Sequence, residues 1–338
     1  MGVLFNFPDL QVERPCQGNC ILLGMNADLE YADGTNANIG NGMWLHHMVL
    51  FNSGPNRFDP TCVGKSSLPH LLISSSPDKS ERLMASGNER THTSFNSPLA
   101  PNDKLGYFLN PEDKFSFIVD FMNENKEEKV VYMTMLYDYI EGRPEGFSNF
   151  RSIWLDVAQC GTSEIKPPKD SGSFTVSQEW VANLNADILG AGGHLHDGGT
   201  HLTLEVDGKP VCDSVATYGV ISDKNNGTKS TGGMTGMGMG AMGRAIDSIS
   251  RLAQLEGFPV QNLARRQEHG DMANAGVEHI TRMSLCAGKT FGVQKVVKGQ
   301  KWKITGYYDY DKHLGMKENG HQTNVMGISV MMVKNWTA

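Results

Sequence analysis

Apolar and polar residues alternate in short runs broken by turn residues, the pattern of half-buried β-strands. Leu202-Thr203-Leu204-Glu205-Val206, then Asp207-Gly208, then Lys209-Pro210-Val211-Cys212 reads as a hairpin closed by a two-residue turn. Further strands are expected at Phe115–Val119, Lys129–Tyr137, Lys301–Tyr308 and Val325–Val333. Many short strands punctuated by Gly, Pro, Asn and Asp point to sandwiches, not a parallel α/β sheet. The fold class expected is all-β: two consecutive antiparallel β-sandwich, jelly-roll-like domains. The Gly- and Pro-containing loop from Glu141 to Asn149 divides them, giving an N-terminal sandwich over residues 1–149 and a C-terminal one over 150–338. An insertion at about 222–280 interrupts the second. It opens with the low-complexity Met/Gly run Gly232–Gly243. Ile246, Ile249, Leu252 and Ala253 then fall at helical spacing within Arg244–Glu256, and Asn262–Ile280 adds a second helix. The plain reading is a loop and an amphipathic helix on a sheet; the sharper one is a lid over a pocket.

Composition narrows the class. The 338 residues suffice for about two domains, each with a core. Lys+Arg 30 against Asp+Glu 37 gives a net charge of -7, and no basic run carries interleaved aromatics, so nucleic acid is not an expected partner. No apolar stretch approaches the roughly 20 residues of a membrane span. The six cysteines lack zinc-ribbon spacing and suit disulfides in an oxidising compartment, with Cys212–Cys286 expected within the second sandwich. Asn226-Gly227-Thr228 and Asn335-Trp336-Thr337 are glycosylation sequons that fit the same route. The chain reads as a mature secreted protein whose leader has been removed.

The candidate chemistry lies in two histidine clusters far apart in sequence. His194 and His196 are two residues apart, so a strand presents both imidazoles on one face, where they can chelate one ion. His46 and His47 are adjacent and share an ion only where the strand bends or bulges. Imidazole with the thioether of Met326 suits copper better than calcium or magnesium. Against this stands ordinary packing, which is the reading for His201, His279 and His313. Met326 lies in an apolar strand, so core packing explains it as well as ligation does.

Leu45-His46-His47-Met48 resembles the first copper motif of the ascorbate-dependent type II copper monooxygenases, the peptidylglycine α-hydroxylating and dopamine β-monooxygenase family. Gly193-His194-Leu195-His196 resembles its second His-X-His pair, and Thr323-Asn324-Val325-Met326-Gly327 its methionine ligand. The resemblance implies two sandwiches facing each other across a solvent cleft, one copper on each. A closer resemblance, to secreted fungal proteins related to the plant stress-upregulated nodulin proteins, is carried by Ala32-Asp33-Gly34, Ser86-Gly87-Asn88-Glu89-Arg90, Gly193–Gly199 and Cys212-Asp213-Ser214. Fungal hetero-Diels–Alderases of tropolone–sesquiterpenoid pathways are similar secreted proteins. The chain departs from the copper family where a third histidine should complete the first site: Phe117–Asn123 has none. Asp120 or Met122 on that strand, or His70 or His92 from a loop, are the possible substitutes.

The preferred expectation is therefore an enzyme that needs no cofactor. It would join a quinone methide to a terpene alkene in the cleft, an intermolecular hetero-Diels–Alder cyclisation of small apolar organic substrates. His194, His196 and Asp197 would supply acid–base chemistry, with His46 and His47 opposite. The second expectation is a copper- and ascorbate-dependent monooxygenase hydroxylating a small molecule or peptide, with copper on His194, His196 and Met326 and on His46 and His47. The third is a secreted copper-binding protein without catalysis.

Overall fold

The computed structural model describes residues 2–38, 41–87, 90, 92–95, 103–220, 278–318 and 321–337. The described residues are almost all strand, with a single short α-helix at Leu68–Leu72. The expected Met/Gly run and the helix at 244–256 lie outside them, as does most of the second expected helix. That helix's last residues, from Glu278, instead begin the strand Glu278–Met283.

Among the described residues, those up to Asn149 build two sheets, and those from Arg151 build two large sheets and the two-stranded pair Lys317–Glu318 and His321–Gln322. One early sheet pairs Gly2–Val12 with Lys114–Asn123, then Met43–Ser53, then Ser80–Ser86; the other is centred on Cys20–Glu30. In the later half, Arg151–Asp156, Val325–Thr337 and Asn185–Leu195 form one sheet. Ser173–Val181, Lys301–Asp309, Gly199–Val206, Lys209–Val220 and Glu278–Met283 form the other. Nearly all pairs are antiparallel, as expected of an all-β sandwich; Lys104–Leu109 and Phe147–Asn149 pair in parallel. The hairpin turn lies at Asp207 and Gly208, whose φ of 49° and 78° suit a primed turn that follows the strand twist.

Alternation fixes the cores. In Lys301–Asp309 the buried face carries Trp302, Ile304 and Tyr308, which pack with Leu202, Leu204 and Phe291. In Met43–Ser53 the buried positions are Met43 and Leu45, then Met48 and Leu50, with Phe51 and Asn52 also buried at the strand's end. The phase slips by one residue across His46-His47.

The halves do not meet across open solvent, which corrects the cleft implied by the resemblance. Leu189 and Met332 of the later half sit in the core of the earlier one. Cys62–Cys160 ties the halves covalently; Cys16–Cys20 and the expected Cys212–Cys286 lie within them. The Trp180 indole N–H donates to the Pro60 carbonyl at 3.0 Å. A buried ionic network crosses the same seam. Arg57 donates to Asp113 and to Glu81, and Glu81 also takes the Arg151 guanidinium. Arg82 bonds Asp59 at 2.7 Å and approaches Asp156 at 3.9 Å. His70 is buried in this network, its ring nitrogens 3.2 Å from Asp59 and 2.8 Å from Ser80, so it does not reach toward the histidine clusters.

Burial alone pushes Asp59 up, but Arg82 and His70 outweigh it and hold the carboxyl well below the usual range. A carboxyl lowered by folding adds stability above its unfolded pKa of about 4, and that stability is lost as pH falls toward the folded value. Arg82→Met leaves Asp59 and Asp156 buried without their cation. It should cost about 3–5 kcal/mol in urea unfolding at pH 7, with the gap from wild type narrowing as pH drops below about 4. An unchanged urea midpoint would show that the network adds nothing.

Candidate metal centre

Two residues of Met43–Ser53 face one residue of Lys114–Asn123. Leu45 pairs with Phe121 and His47 with Asp120, so His46 is the extra residue of a β-bulge. Because Leu45 and Met48 both point into the core, His46 and His47 both leave on the opposite face, where the later half lies. The bulge required for the adjacent histidines to act together is present. Their ring centroids are 4.1 Å apart.

The second pair arrives from the other half. His194 pairs with Ile328 near the end of Asn185–Leu195, and His196 follows just beyond it, its N–H donating to the Met326 carbonyl at 3.2 Å. The glycines around this pair permit close packing: a Cβ on Gly193 would lie 2.7 Å from Ser214 Oγ, and Gly198, at φ 88°, has the Tyr310 ring where a Cβ would stand. His194 is half-buried and His196 is buried.

The halves therefore bring the two histidine pairs together, where the resemblance implied two sites held apart across a solvent cleft. The His47 and His196 rings stack at 5.9 Å with 7° between their planes, and His194 stands edge-on to His196 at 5.8 Å. One ligand atom from each of His47, His194 and His196 lies within 4.8 Å of the others. A second group, His46, His47 and Asp120, meets the same limit and shares His47.

The donor chemistry fits a transition metal. His196 Nδ1 lies 2.9 Å from the Asn324 carbonyl, which can only accept, so Nδ1 carries the proton and Nε2 keeps a lone pair. Burial, then the neighbouring His194, push the His196 imidazole down to about 3. Burial and His47 push His46 down to about 4, with Asp120 opposing. Both rings are neutral at neutral pH, the form that ligates. Three converging imidazoles suit copper or zinc.

Met326 shares a cavity wall with His47 and His194 and packs beside Trp154 and Ile328. Asp197 has a different job from the acid–base role expected of it. Its carboxylate accepts the Ile280 N–H at 2.9 Å and is not among the described lining residues. His92 is paired with Asp138 at 2.6 Å against Gly24, away from the cluster. Met122 pairs with Trp44 and Val3 and is absent from the cavity wall. His201 stacks on Tyr307 and His313 on Tyr218, both as packing residues; the side chain of His279 lies outside the described set.

The cavity that reaches His47 and His194 has a volume of about 190 Å³. Its walls are mainly apolar, with Met84, Phe95, Phe150, Trp154, Val330 and Met332 prominent. Sequence reasoning missed Trp154, which belongs to no motif, and the Asn324 carbonyl, a backbone acceptor that the motif around Met326 does not reveal.

No family model matches the chain. It is similar, however, to two fungal proteins. With probable copper-dependent oxygenase M1 of Phoma sp. it shares 29% identity over 207 residues, 61% of this chain and 49% of the relative. With probable copper-dependent oxygenase clz3 of Cochliobolus lunatus it shares 29% over 194 residues, 57% and 58%. Both similarities are to proteins named for copper. The chain spans about half the length of these curated relatives.

A cavity of this size is slightly larger than an engineered void of about 150 Å³ that binds benzene. A benzene-sized probe at ten times its dissociation constant should therefore stabilise the metal-free protein by about 1.4 kcal/mol. Ala85→Phe, which fills the cavity from its wall, should abolish the gain in thermal midpoint. The same stabilisation in both proteins would place the probe elsewhere.

Proposed function

We propose that the chain acts as a copper-dependent oxygenase on a small apolar substrate. The observation that carries this reading is the approach of His47 to His194 and His196 across the seam between the halves. The names of the two relatives support it. Bound copper would supply one-electron chemistry with dioxygen, which the side chains alone do not.

The protein's own part is positional. The Asn324 carbonyl fixes the tautomer and plane of His196. The bulge at His46 aims His47 across the seam. The mainly apolar cavity beside them could seat an apolar group with a C–H bond near the cluster. Three disulfides favour a secreted protein working in an oxidising compartment. Among the described residues no helix is long and apolar enough to cross a membrane.

The cofactor-free cyclisation expected from the resemblance ranks second. It would use the converging imidazoles as acid–base groups, yet burial pushes His196 down to about 3, far from a pH where it could donate and accept protons in turn. A void near 190 Å³ also suits one compact apolar group better than two bulky partners.

Copper titration followed by metal analysis separates the two. Wild type should bind copper stoichiometrically and consume oxygen when ascorbate and substrate are present. His196→Ala should weaken copper binding by more than about 100-fold, beyond the usual loss for removing a supporting residue. Failure to bind copper, together with turnover of a diene and alkene by metal-free protein, would overturn the oxygenase reading.

A further inference from the structure

We infer that Asp120 is itself a metal ligand, completing with His46 and His47 a two-histidine, one-carboxylate site for a divalent first-row transition ion. This site adjoins the three-imidazole cluster and shares His47 with it. The inference goes beyond the oxygenase reading and depends on it only through that shared ring.

The spacing is the first argument. Asp120 Oδ2 lies 3.8 Å from His47 Nδ1. That is too long for a hydrogen bond. Donors held about 2.0–2.2 Å from one ion at tetrahedral to trigonal angles stand about 3.3–3.8 Å apart, so the spacing seen lies at the upper end of that range. A ligand atom of His46 completes the group within the same 4.8 Å limit.

Charge is the second. Asp120 is 8% exposed, and a buried carboxylate needs a positive partner or several donors. Its Oδ1 accepts the Asn6 N–H at 2.5 Å. Among the described residues its ion-pair partner is His47, and no lysine or arginine reaches it. A divalent ion at Oδ2 would supply the missing charge.

The backbone is the third. Register places Asp120 directly opposite His47, on the strand where the sequence has no histidine. The bulge turns His46 to the same side. A carboxylate in place of an imidazole hardens the donor set, and two histidines with one carboxylate suit divalent iron or copper better than cuprous copper. His47 can serve both sites only as an imidazolate, its ring proton released to solvent when the second ion binds.

The test is a titration of the full-length, metal-stripped protein with Cu²⁺ alone, and separately with Fe²⁺ under anaerobic conditions. Calorimetry gives the stoichiometry and, for copper, electron paramagnetic resonance gives the donor set. Wild type should take two ions. Asp120→Asn should take one, with the second site weakened at least about tenfold. The asparagine oxygen still accepts from Asn6, so the fold should hold, and circular dichroism checks that it does. A His194→Ala/His196→Ala variant should keep one ion, and adding Asp120→Asn to it should remove that ion. Unchanged stoichiometry and affinity in Asp120→Asn, or no ion in the double-histidine variant, overturns the inference. Failure of the oxygenase reading shows up separately, as copper binding indifferent to loss of His194 and His196.

Discussion

The site depends on one extra residue in one strand. A regular strand through Met43–Ser53 would send His46 and His47 to opposite faces, and one of them would enter the core beside Leu45 and Met48. The bulge at His46 removes that conflict. It keeps four apolar side chains inward and turns two imidazoles outward together. Burying either imidazole in that core without a partner would cost on the order of 1–3 kcal/mol, which favours the bulged register over the regular one.

A strand can aim a histidine, but something must hold the target still. Here that is the seam between the halves. Cys62–Cys160 limits how far they can separate, and the Glu81–Arg151 and Asp59–Arg82–Asp156 contacts require a defined alignment because their charges are buried. Buried ion pairs are poor sources of net stability, but misaligning one is expensive. Such a network specifies geometry more than it stabilises the fold. It lies beside the strands that carry the cluster: Ser80–Ser86, which holds Arg82, pairs with Met43–Ser53, and Arg82 lines the cavity that His47 and His194 also line.

Much of the fold was legible in the sequence because two-residue periodicity and turn chemistry are local. The strands at Lys301–Asp309 and Val325–Thr337 and the Asp207-Gly208 hairpin lie where the pattern places them, with ends shifted by a few residues. The Cys212–Cys286 pairing was also within reach. The histidines were visible as candidates, but their convergence was not. It depends on the alignment of two halves whose contacts, such as Trp180 with Pro60, join residues more than a hundred positions apart. A signal for the bulge was present nonetheless. Met43 and Leu45 are odd-numbered, Met48 and Leu50 even-numbered, and the slip falls on the two histidines. Asp197 misled for the opposite reason: its neighbours suggested chemistry, while its carboxylate anchors the backbone at Ile280.

Burial links the cluster to its chemistry. An exposed imidazole titrates near neutral pH and spends part of its time protonated, when it cannot ligate. Enclosure drives His46 and His196 far below that point, so their lone pairs remain available across the neutral range. The same enclosure would be costly for a charged ion unless negative charge or many donors accompany it. Asp120 supplies a carboxylate at one end, while the group at the other end is built of imidazoles. A divalent ion is therefore better compensated beside Asp120, and an ion of lower charge is better tolerated beside His194 and His196. The asymmetry is built into the protein by a single carboxylate, which its register places opposite His47.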